Sequence, residues 1–406
     1  MWPFGRKTEA APKAEVRLSS PYIEEVLAGG MAYGGQSVTA STAMHSSAVF
    51  ACVRLISSAV ACAPVKVYRR KGDLRERVHA HALERLLRLE PCPTMPASTF
   101  WQALMQDKLL QGNAYAQVVR DGSGRVAGLY PLRAQSVQVL FGWELPARAK
   151  LSSAEKARRF YRVSLEDGTE ALLDQRDVLH IPNVGWDGRK GISTVRAMAQ
   201  AVGLALAAEK SSSAFFENGM QSQTAILIPG TPNDEALERF KTALKARYAG
   251  AGNHHKPLVL TNDAKVAALS MTAEDAQLLD SRKFSVIDIC RFFGVHPVMV
   301  GENEKTSSFG GGIEQMGRWF NTLTLNSHFT AIEQELEIKL FGDGHFAEFD
   351  ETEITRGDTA ARADYFKAAL GSMQQPGWLT VNEVRAAEGH GPMKGGDTLQ
   401  TPKMER

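Results

Sequence analysis

The sequence has few cysteines, no long apolar run and almost no net charge, and each shortage excludes a class of protein. Four cysteines in 406 residues, none in a C-x-x-C pair, favour reduced thiols over a disulfide framework or a zinc site. No apolar run reaches the roughly 18 residues that a membrane helix needs. The first residues also lack the apolar stretch of a signal peptide. We therefore expect synthesis in the cytoplasm and no membrane partner.

The charge balance argues against a protein that grips nucleic acid through a dense basic surface. Lys and Arg number 47, Asp and Glu number 45, and the formal net charge is +2. A strong attraction to phosphates would need a clear excess of positive charge. If double-stranded DNA is a partner, we expect it to be passed along the protein and bound without sequence preference.

Motifs for catalysis and for metal binding are missing as well. The segment Gly30–Ser37 has the glycine spacing of a phosphate-binding loop, but Gln36 stands where the lysine is required. No G-x-S-x-G and no H-E-x-x-H occurs. We expect no catalytic residue, no metal and no cofactor. Two pairs of histidines are close in the sequence, His79 with His81 and His254 with His255. Neither pair has a carboxylate or cysteine at the spacing of a metal site.

A short acidic run near the C-terminus lacks the spacing of a nuclease metal site. We expect it to form a solvated strand edge or to make ion pairs between subunits. The run consists of Glu348, Asp350, Glu351 and Glu353.

Residues 45 to about 190 have the pattern of one α/β unit, preceded by an arm with little periodicity. Val49, Val53, Ile56 and Val60 recur at steps of three and four residues, which predicts an amphipathic helix over Ser46–Ala61. Further helices are predicted over His81–Leu89 and from a cap at Ser98 to Leu110. Strands are predicted at 65–68, 161–163 and 178–181, with a hairpin at 112–132 around the turn Asp121–Gly124.

Three predicted helices are too long for a small core. Thr194–Glu217 and Ile313–Phe341 would be roughly 36 and 43 Å long at 1.5 Å per residue, and a third runs over Thr272–Phe293. Such helices indicate a subunit that packs beside neighbouring copies. Strands at 224–228 and 257–260, a helix at 232–247, a polar loop at 301–312 and helices at 359–370 and from about 380 complete the pattern.

Five segments in this order resemble the portal family of the HK97 type of tailed phages, over residues 45 to 398. The resemblance is carried by Ala48–Ser58; by Leu109–Tyr115, with the tetrapeptide GNAY, and Leu129–Leu132; by Val178–Ile181 with Gly188 and Gly191–Ser193; by Phe292–Pro297; and by Leu379–Arg385 with Gly395–Asp397.

The resemblance implies an α+β portal fold, assembled as a ring. It divides the chain into an arm (1–44), a wing (45–193), a stem helix (194–219), a clip (220–271), a second stem helix (272–294), a tunnel loop (295–312), a long wing helix with a return strand (313–357), a crown (358–390) and a tail (391–406).

The resemblance also implies the function of a structural protein. The ring, twelvefold in the virion, would stand at one capsid vertex, carry DNA in packaging and ejection, and form in the host cytoplasm. Its partners would be further copies of itself, double-stranded DNA, the large terminase subunit, a head–tail adaptor and the major capsid protein. A phage and a gene transfer agent would use the same subunit.

Two groups of residues are the expected contact sites. Residues facing DNA from the tunnel loop would be Glu302, Asn303, Glu304, Lys305, Thr306, Ser307 and Ser308. The clip surface for terminase or adaptor would comprise Lys241, Lys245, Arg247, His254, His255 and Lys256.

Two alternatives stay open on the sequence alone. One is an enzyme of a mobile element, a nuclease or a nucleoside triphosphatase, which would have to use the Gly30–Ser37 loop or the acidic run. The other is a DNA-binding adaptor that acts as a monomer.

Overall fold

The computed structural model describes residues 31–32, 36–72, 74–79, 81–146, 151–165, 167–218, 224–227, 235, 238–239, 242, 265–268, 284–302, 312–342, 344–351, 359–372 and 375–399. The helices are α1 (Ala40–Ala43), α2 (Ser47–Cys62), α3 (Ala82–Arg88), α4 (Ala97–Gln111), α5 (Ser153–Lys156), α6 (Thr194–Ala197), α7 (Ala199–Asn218), α8 (284–293), α9 (Gly312–Trp319), α10 (Asn326–Leu340), α11 (Thr359–Leu370) and α12 (Val381–Ala387). The strands are β1 (Met31–Ala32), β2 (Gln36–Ser37), β3 (Val65–Lys71), β4 (Leu74–Arg77), β5 (Asn113–Arg120), β6 (Val126–Leu132), β7 (Val137–Phe141), β8 (Arg159–Ser164), β9 (Glu170–Asp174), β10 (Val178–Pro182), β11 (Thr224–Leu227), β12 (Lys265–Ala268) and β13 (His345–Phe349).

The strands form small antiparallel sheets, which makes this an α+β protein, as expected. Among the described residues, three sheets have three strands each, in the orders β10-β5-β6, β13-β3-β4 and β7-β8-β9. Two further pairs are β1-β2 and β11-β12. The predicted hairpin is present as β5 and β6, with Tyr115 opposite Leu132.

Helix α2 is the centre of the main core. Its predicted stripe, Val49, Val53, Ile56 and Val60, is fully buried, and α2 packs against α4. The cap predicted at Ser98 is wrong, because α4 begins at Ala97, one residue earlier, with Pro96 at the N-cap position. Pro96 supplies no side-chain hydrogen bond there, and its ring fixes the extended backbone that precedes the helix.

Helix α10 bridges two sheets by hydrogen bonding to an edge strand of each. Glu335 accepts from the backbone N–H of His180 in β10 at 2.9 Å, and Lys339 donates to the carbonyl of Val178 at 3.0 Å. On the other side Glu333 accepts from the N–H of Phe349 in β13 at 2.7 Å. Unpaired edge groups invite association with other strands, so these side chains both protect the edges and fix the helix.

Two of the predicted long helices are present but irregular. The helix expected over Thr194–Glu217 is divided at Met198 into α6 and α7. The helix expected over Ile313–Phe341 contains a π-helical segment, Phe320–Leu325, between α9 and α10. Of the third, Thr272–Phe293, only α8 lies within the described residues.

Some of the remaining predictions fall on described residues and others do not. Within the arm predicted over residues 1–44, the structure describes β1, β2 and α1. Strand β11 confirms the prediction at 224–228, and its partner β12 was not foreseen. The strand predicted at 257–260 falls outside the described residues.

The acidic run begins in the edge strand β13 and is paired largely inside the chain. Glu348 lies 2.5 Å from Arg75, Asp350 forms an ion pair with Lys66, and Glu351 accepts from the amide of Asn321 at 2.5 Å. Glu353 lies outside the described residues.

Candidate functional site

The helix α6–α7 leaves the α/β unit at a close crossing of two backbone segments. At the end of α4, Gly112 has a φ of +81°, and its carbonyl accepts a hydrogen bond from the N–H of Asn183 at 2.9 Å. A Cβ on Gly112 would lie 2.4 Å from the backbone nitrogen of Ser193, and one on Gly191 would lie 2.4 Å from that of Asn183. Only glycine fits at both positions, so the crossing fixes where the helix starts.

Ser193 holds the first turn of α6 against the end of α4. Its hydroxyl donates to the carbonyl of Leu110 at 2.6 Å and accepts from the N–H of Arg196 at 3.1 Å. Asn183 adds a bond of 2.9 Å from its amide to the hydroxyl of Thr194. The helix is therefore anchored by side-chain hydrogen bonds as well as by the glycine crossing.

A buried polar cluster behind the crossing joins β5, β8 and β10. The amide of Asn113 is oriented by Gly191, whose N–H donates to Oδ1 at 2.8 Å and whose carbonyl accepts from Nδ2 at 3.0 Å. His180 Nε2 lies 3.0 Å from Asn113 Oδ1, which can only accept, so His180 carries its proton on Nε2. Nδ1 then accepts from the hydroxyl of Tyr161 at 3.1 Å.

His180 is held neutral by its surroundings. Burial, reinforced by the charges of Arg159, Lys339 and Lys190, lowers the pKa of His180 to about 3. A neutral ring satisfied at both nitrogens is a structural link and has no free group for acid–base chemistry.

The chain that leaves α8 toward the expected tunnel loop is tied to the π segment. Gly294, with a φ of +67°, ends α8, and its carbonyl accepts from the hydroxyl of Thr324 at 2.5 Å. His296 caps a short 3-10 turn over Pro297–Val300, and the N–H of Glu302 donates to the carbonyl of Pro297 at 3.1 Å. The base of the loop is thus fixed up to residue 302.

An apolar cavity lies between α8, this turn and the long helix. Its volume is about 250 Å³. The apolar part of its wall includes Cys290, Met299, Met316, Trp319, Phe320 and Leu323.

Large apolar side chains are exposed on α7, on α8 and on the long helix that comprises α9, the π segment and α10. Leu323 is 75% exposed and Ile338 is 73% exposed, so neither side chain belongs to the subunit's own core. The others on these helices are Leu204 on α7, Phe284 and Phe292 on α8, and Trp319 on α9. Together they form what we call the apolar helix faces.

No group of three potential metal ligands is found among the described residues. Within the same part of the chain, no helix is long and apolar enough to cross a membrane. The model for the phage portal protein family matches residues 47–389, which is most of the chain. The chain belongs to the phage portal protein family.

Two portal relatives support this membership over nearly the whole chain. The probable portal protein of Streptomyces phage phiC31 is 32% identical over 403 residues, covering 97% of this chain and 85% of its own. The portal protein of Enterobacteria phage HK97 is 31% identical over 376 residues, covering 90% and 83%. The expected role of a portal protein at the capsid vertex, a connector for DNA packaging, is confirmed by the family.

The portal fold is also supported by a solved structure. A chain in the neck of a native gene transfer agent particle, computed with C12 symmetry, matches with a TM-score of 0.58 at 21% identity and covers 91% of this chain and 100% of its own. Portal proteins are structural, so the alternative of a nuclease or nucleoside triphosphatase is not supported.

Several portal signatures in the sequence form structural junctions. The GNAY segment, Val178–Ile181 and Gly191–Ser193 meet at the glycine crossing and the His180 cluster. In the last signature, Asn382 binds the chain around Gly395–Asp397. Its amide donates to the carbonyl of Met393 at 3.0 Å and to Asp397 at 2.7 Å, and its N–H donates to Gly396 at 2.9 Å.

Most of the expected contact residues cannot be located. Glu302 alone of the tunnel-loop group lies within the described residues, where it is half-buried. The other six, and all six of the clip group, lie outside them. Sequence reasoning did not predict the roles of Glu335, Lys339 and Thr324. A single acidic, basic or hydroxyl residue on a helix does not indicate which strand or loop it will contact in the fold.

Proposed function

We propose that this chain forms a ring of identical subunits whose central channel carries double-stranded DNA. The observation that carries the proposal is the apolar helix faces. A single copy leaves these side chains in water, and a neighbouring copy would bury them at a gain of roughly 25 cal/mol per Å² of apolar surface. A head-to-tail contact repeated between identical subunits closes into a ring when the rotation between neighbours divides a full turn evenly and carries no shift along the axis.

The ring is twelvefold in this proposal. Support comes from the family membership and from the similar chain in the gene transfer agent neck computed with C12 symmetry. Within the subunit, the wing would comprise residues 45–193 and the long helix, α6–α7 and α8 would be the stem helices, and α11 and α12 would form the crown.

The contact sites expected from the sequence become part of the same proposal. The residues of the tunnel loop from Glu302 to Ser308 would face the DNA at the narrowest point of the channel. Its base is fixed through Thr324 and Pro297, which would keep the loop at one height around the ring. The clip group, Lys241 to Lys256, would meet the large terminase subunit during packaging and the head–tail adaptor afterwards, and the wing would meet the major capsid protein.

Replacing Leu323 with glutamate tests the assembly surface. Because Leu323 is 75% exposed in the single chain, the variant should fold normally. In a ring the charge would be buried at every contact, and we expect at least a tenfold loss of assembled rings, about 1.4 kcal/mol or more per contact. Mass photometry and negative-stain images along the axis measure the ring population.

Leu74→Glu is the matched control, because Leu74 is 74% exposed but lies on strand β4 and is not part of the apolar helix faces. It should assemble like the unmodified protein. Rings that form equally well with glutamate at 323 would show that this face is not the interface. A chain that stays solitary under every assembly condition would leave the monomeric adaptor as the better interpretation.

A further inference from the structure

Two cysteines that are far apart in the sequence meet in the main core. Cys52 lies on α2 and Cys290 on α8, and their sulfur atoms are 3.8 Å apart. Both side chains are fully buried, and both cysteines are free. A disulfide needs a sulfur separation of about 2.05 Å, so a movement of less than about 2 Å would allow the bond to form.

The surroundings of the two thiols are not equivalent. Cys290 lies in the wall of the 250 Å³ cavity, beside Trp319 and Leu323, which are exposed. Cys52 is not part of that wall. Cys290 is therefore the nearer of the two thiols to the cavity, and because it is fully buried a small reagent reaches it only when the wall opens locally.

The hydrogen bond between the thiols gives them different acidities. Either thiol can donate to the other sulfur; with Cys52 as the donor, the bond lowers the pKa of Cys290. The same bond, together with burial, raises the pKa of Cys52. Cys290 is therefore the better nucleophile, and Cys52 is placed to react second.

We propose that Cys52 and Cys290 are an oxidation site, at which hydrogen peroxide converts the thiol pair into a disulfide between α2 and α8. The Cys290 thiolate attacks one peroxide oxygen, breaking the O–O bond and giving a sulfenic acid and, after proton transfer, water. The sulfur of Cys52 then attacks the sulfenic sulfur, forms the S–S bond and releases a second water. Two thiols are oxidised and one peroxide is reduced to two waters.

The consequence rests on the proposed function. A ring assembled in a reducing cytoplasm keeps both thiols, and a particle released into an oxidising medium acquires the bond. The bond would then join α8, which leads into the tunnel loop, to the central helix of the main core.

Titration of the purified full-length protein with hydrogen peroxide tests the proposal. Peptide mapping without reductant should find the Cys52–Cys290 linkage, and the thermal midpoint should rise by roughly 5 °C and return on reduction. Cys52→Ala and Cys290→Ala should each lose both effects. Cys62→Ala removes the exposed thiol and should keep both effects.

The unmodified protein decides the matter even if a core variant folds poorly. Oxidised protein in which Cys52 and Cys290 can both still be alkylated, with only Cys62 modified, would overturn the proposal. Mass photometry of the same samples separates the two proposals. Rings without the linkage refute the oxidation site alone, and the linkage in a solitary chain refutes the ring alone.

Discussion

At the scale of single residues, two buried histidines are built into the core in the neutral form. His180 is satisfied by Asn113 and Tyr161. His328 on α10 lies 2.9 Å through Nδ1 from the ammonium group of Lys108 on α4. Burial, reinforced by this positive neighbour, lowers the pKa of His328 to about 3. Both rings therefore resist protonation while the protein is folded.

This neutrality predicts a loss of stability in acid. In the unfolded chain the histidine takes up a proton near its ordinary pKa of 6.5, whereas folded His328 does so only near 3. At this site the unfolded state binds more protons in this window, so the contribution of His328 to the free energy of unfolding falls as the pH falls from 6.5 to 3. One such histidine contributes a slope of up to about 1.4 kcal/mol per pH unit.

The variant His328→Gln keeps an acceptor for Lys108 but cannot titrate, so it should lose that part of the slope. Urea unfolding between about pH 7 and pH 4 measures it. His390→Gln, at an exposed position, is the control and should retain the full slope. Equal slopes in the two variants would contradict the assignment. Glu333 and Asp107, whose pKa values burial raises to about 7 and about 6, act in the opposite direction in every sample.

At the scale of elements, the departure of α6–α7 from the α/β unit depends on the glycine crossing more than on helix propensity. The strands and helices on either side of it are ordinary. The crossing places Gly112 and Gly191 so close to opposing backbone that a single methyl group cannot be accommodated.

Three alanine substitutions distinguish the steric effect of the crossing on stability from the cost of a positive φ. Gly112 and Gly124 have nearly the same φ, +81° and +84°, but only Gly112 has atoms within 4 Å of the added methyl group. Gly124→Ala should cost about 1–2 kcal/mol through strain alone. Gly112→Ala should cost at least about 2 kcal/mol more, because the opposing backbone must move.

Gly122→Ala, with no close atoms and no positive φ, should be nearly neutral. Denaturant unfolding of the three variants provides the values. A Gly112 variant no less stable than the Gly124 variant would show that the crossing is not tight in solution.

At the scale of the whole molecule, the near-neutral charge fits a protein that lets a polyanion move. The formal net charge is +2. The described ion pairs lie mostly on the surface, where each contributes little to stability. Local basic groups such as the proposed clip surface can then act on a partner without attracting DNA to the whole subunit.

Reversing three of the clip charges, Lys241→Glu, Lys245→Glu and Arg247→Glu together, should lower DNA packaging several-fold and leave the ring intact, because the terminase would lose its electrostatic partner. A packaging assay and mass photometry give the two readings. The control reverses Lys71, Arg85 and Arg125, exposed cations on the described part of the chain, and changes the net charge equally. Packaging that is equally affected in both triple variants would place the terminase contact elsewhere.

The sequence by itself determined the order of most helices and strands, the buried stripe of α2, the β5–β6 hairpin and the family resemblance. These depend on spacing and turn chemistry within about 20 neighbouring residues. The tertiary structure alone decided the glycine crossing, the grip of α10 on two sheet edges, the break at Met198, the π segment and the pairing of Cys52 with Cys290. Those contacts and distortions depend on packing between segments as much as 238 residues apart, and a local sequence pattern does not predict which distant segments will pack together.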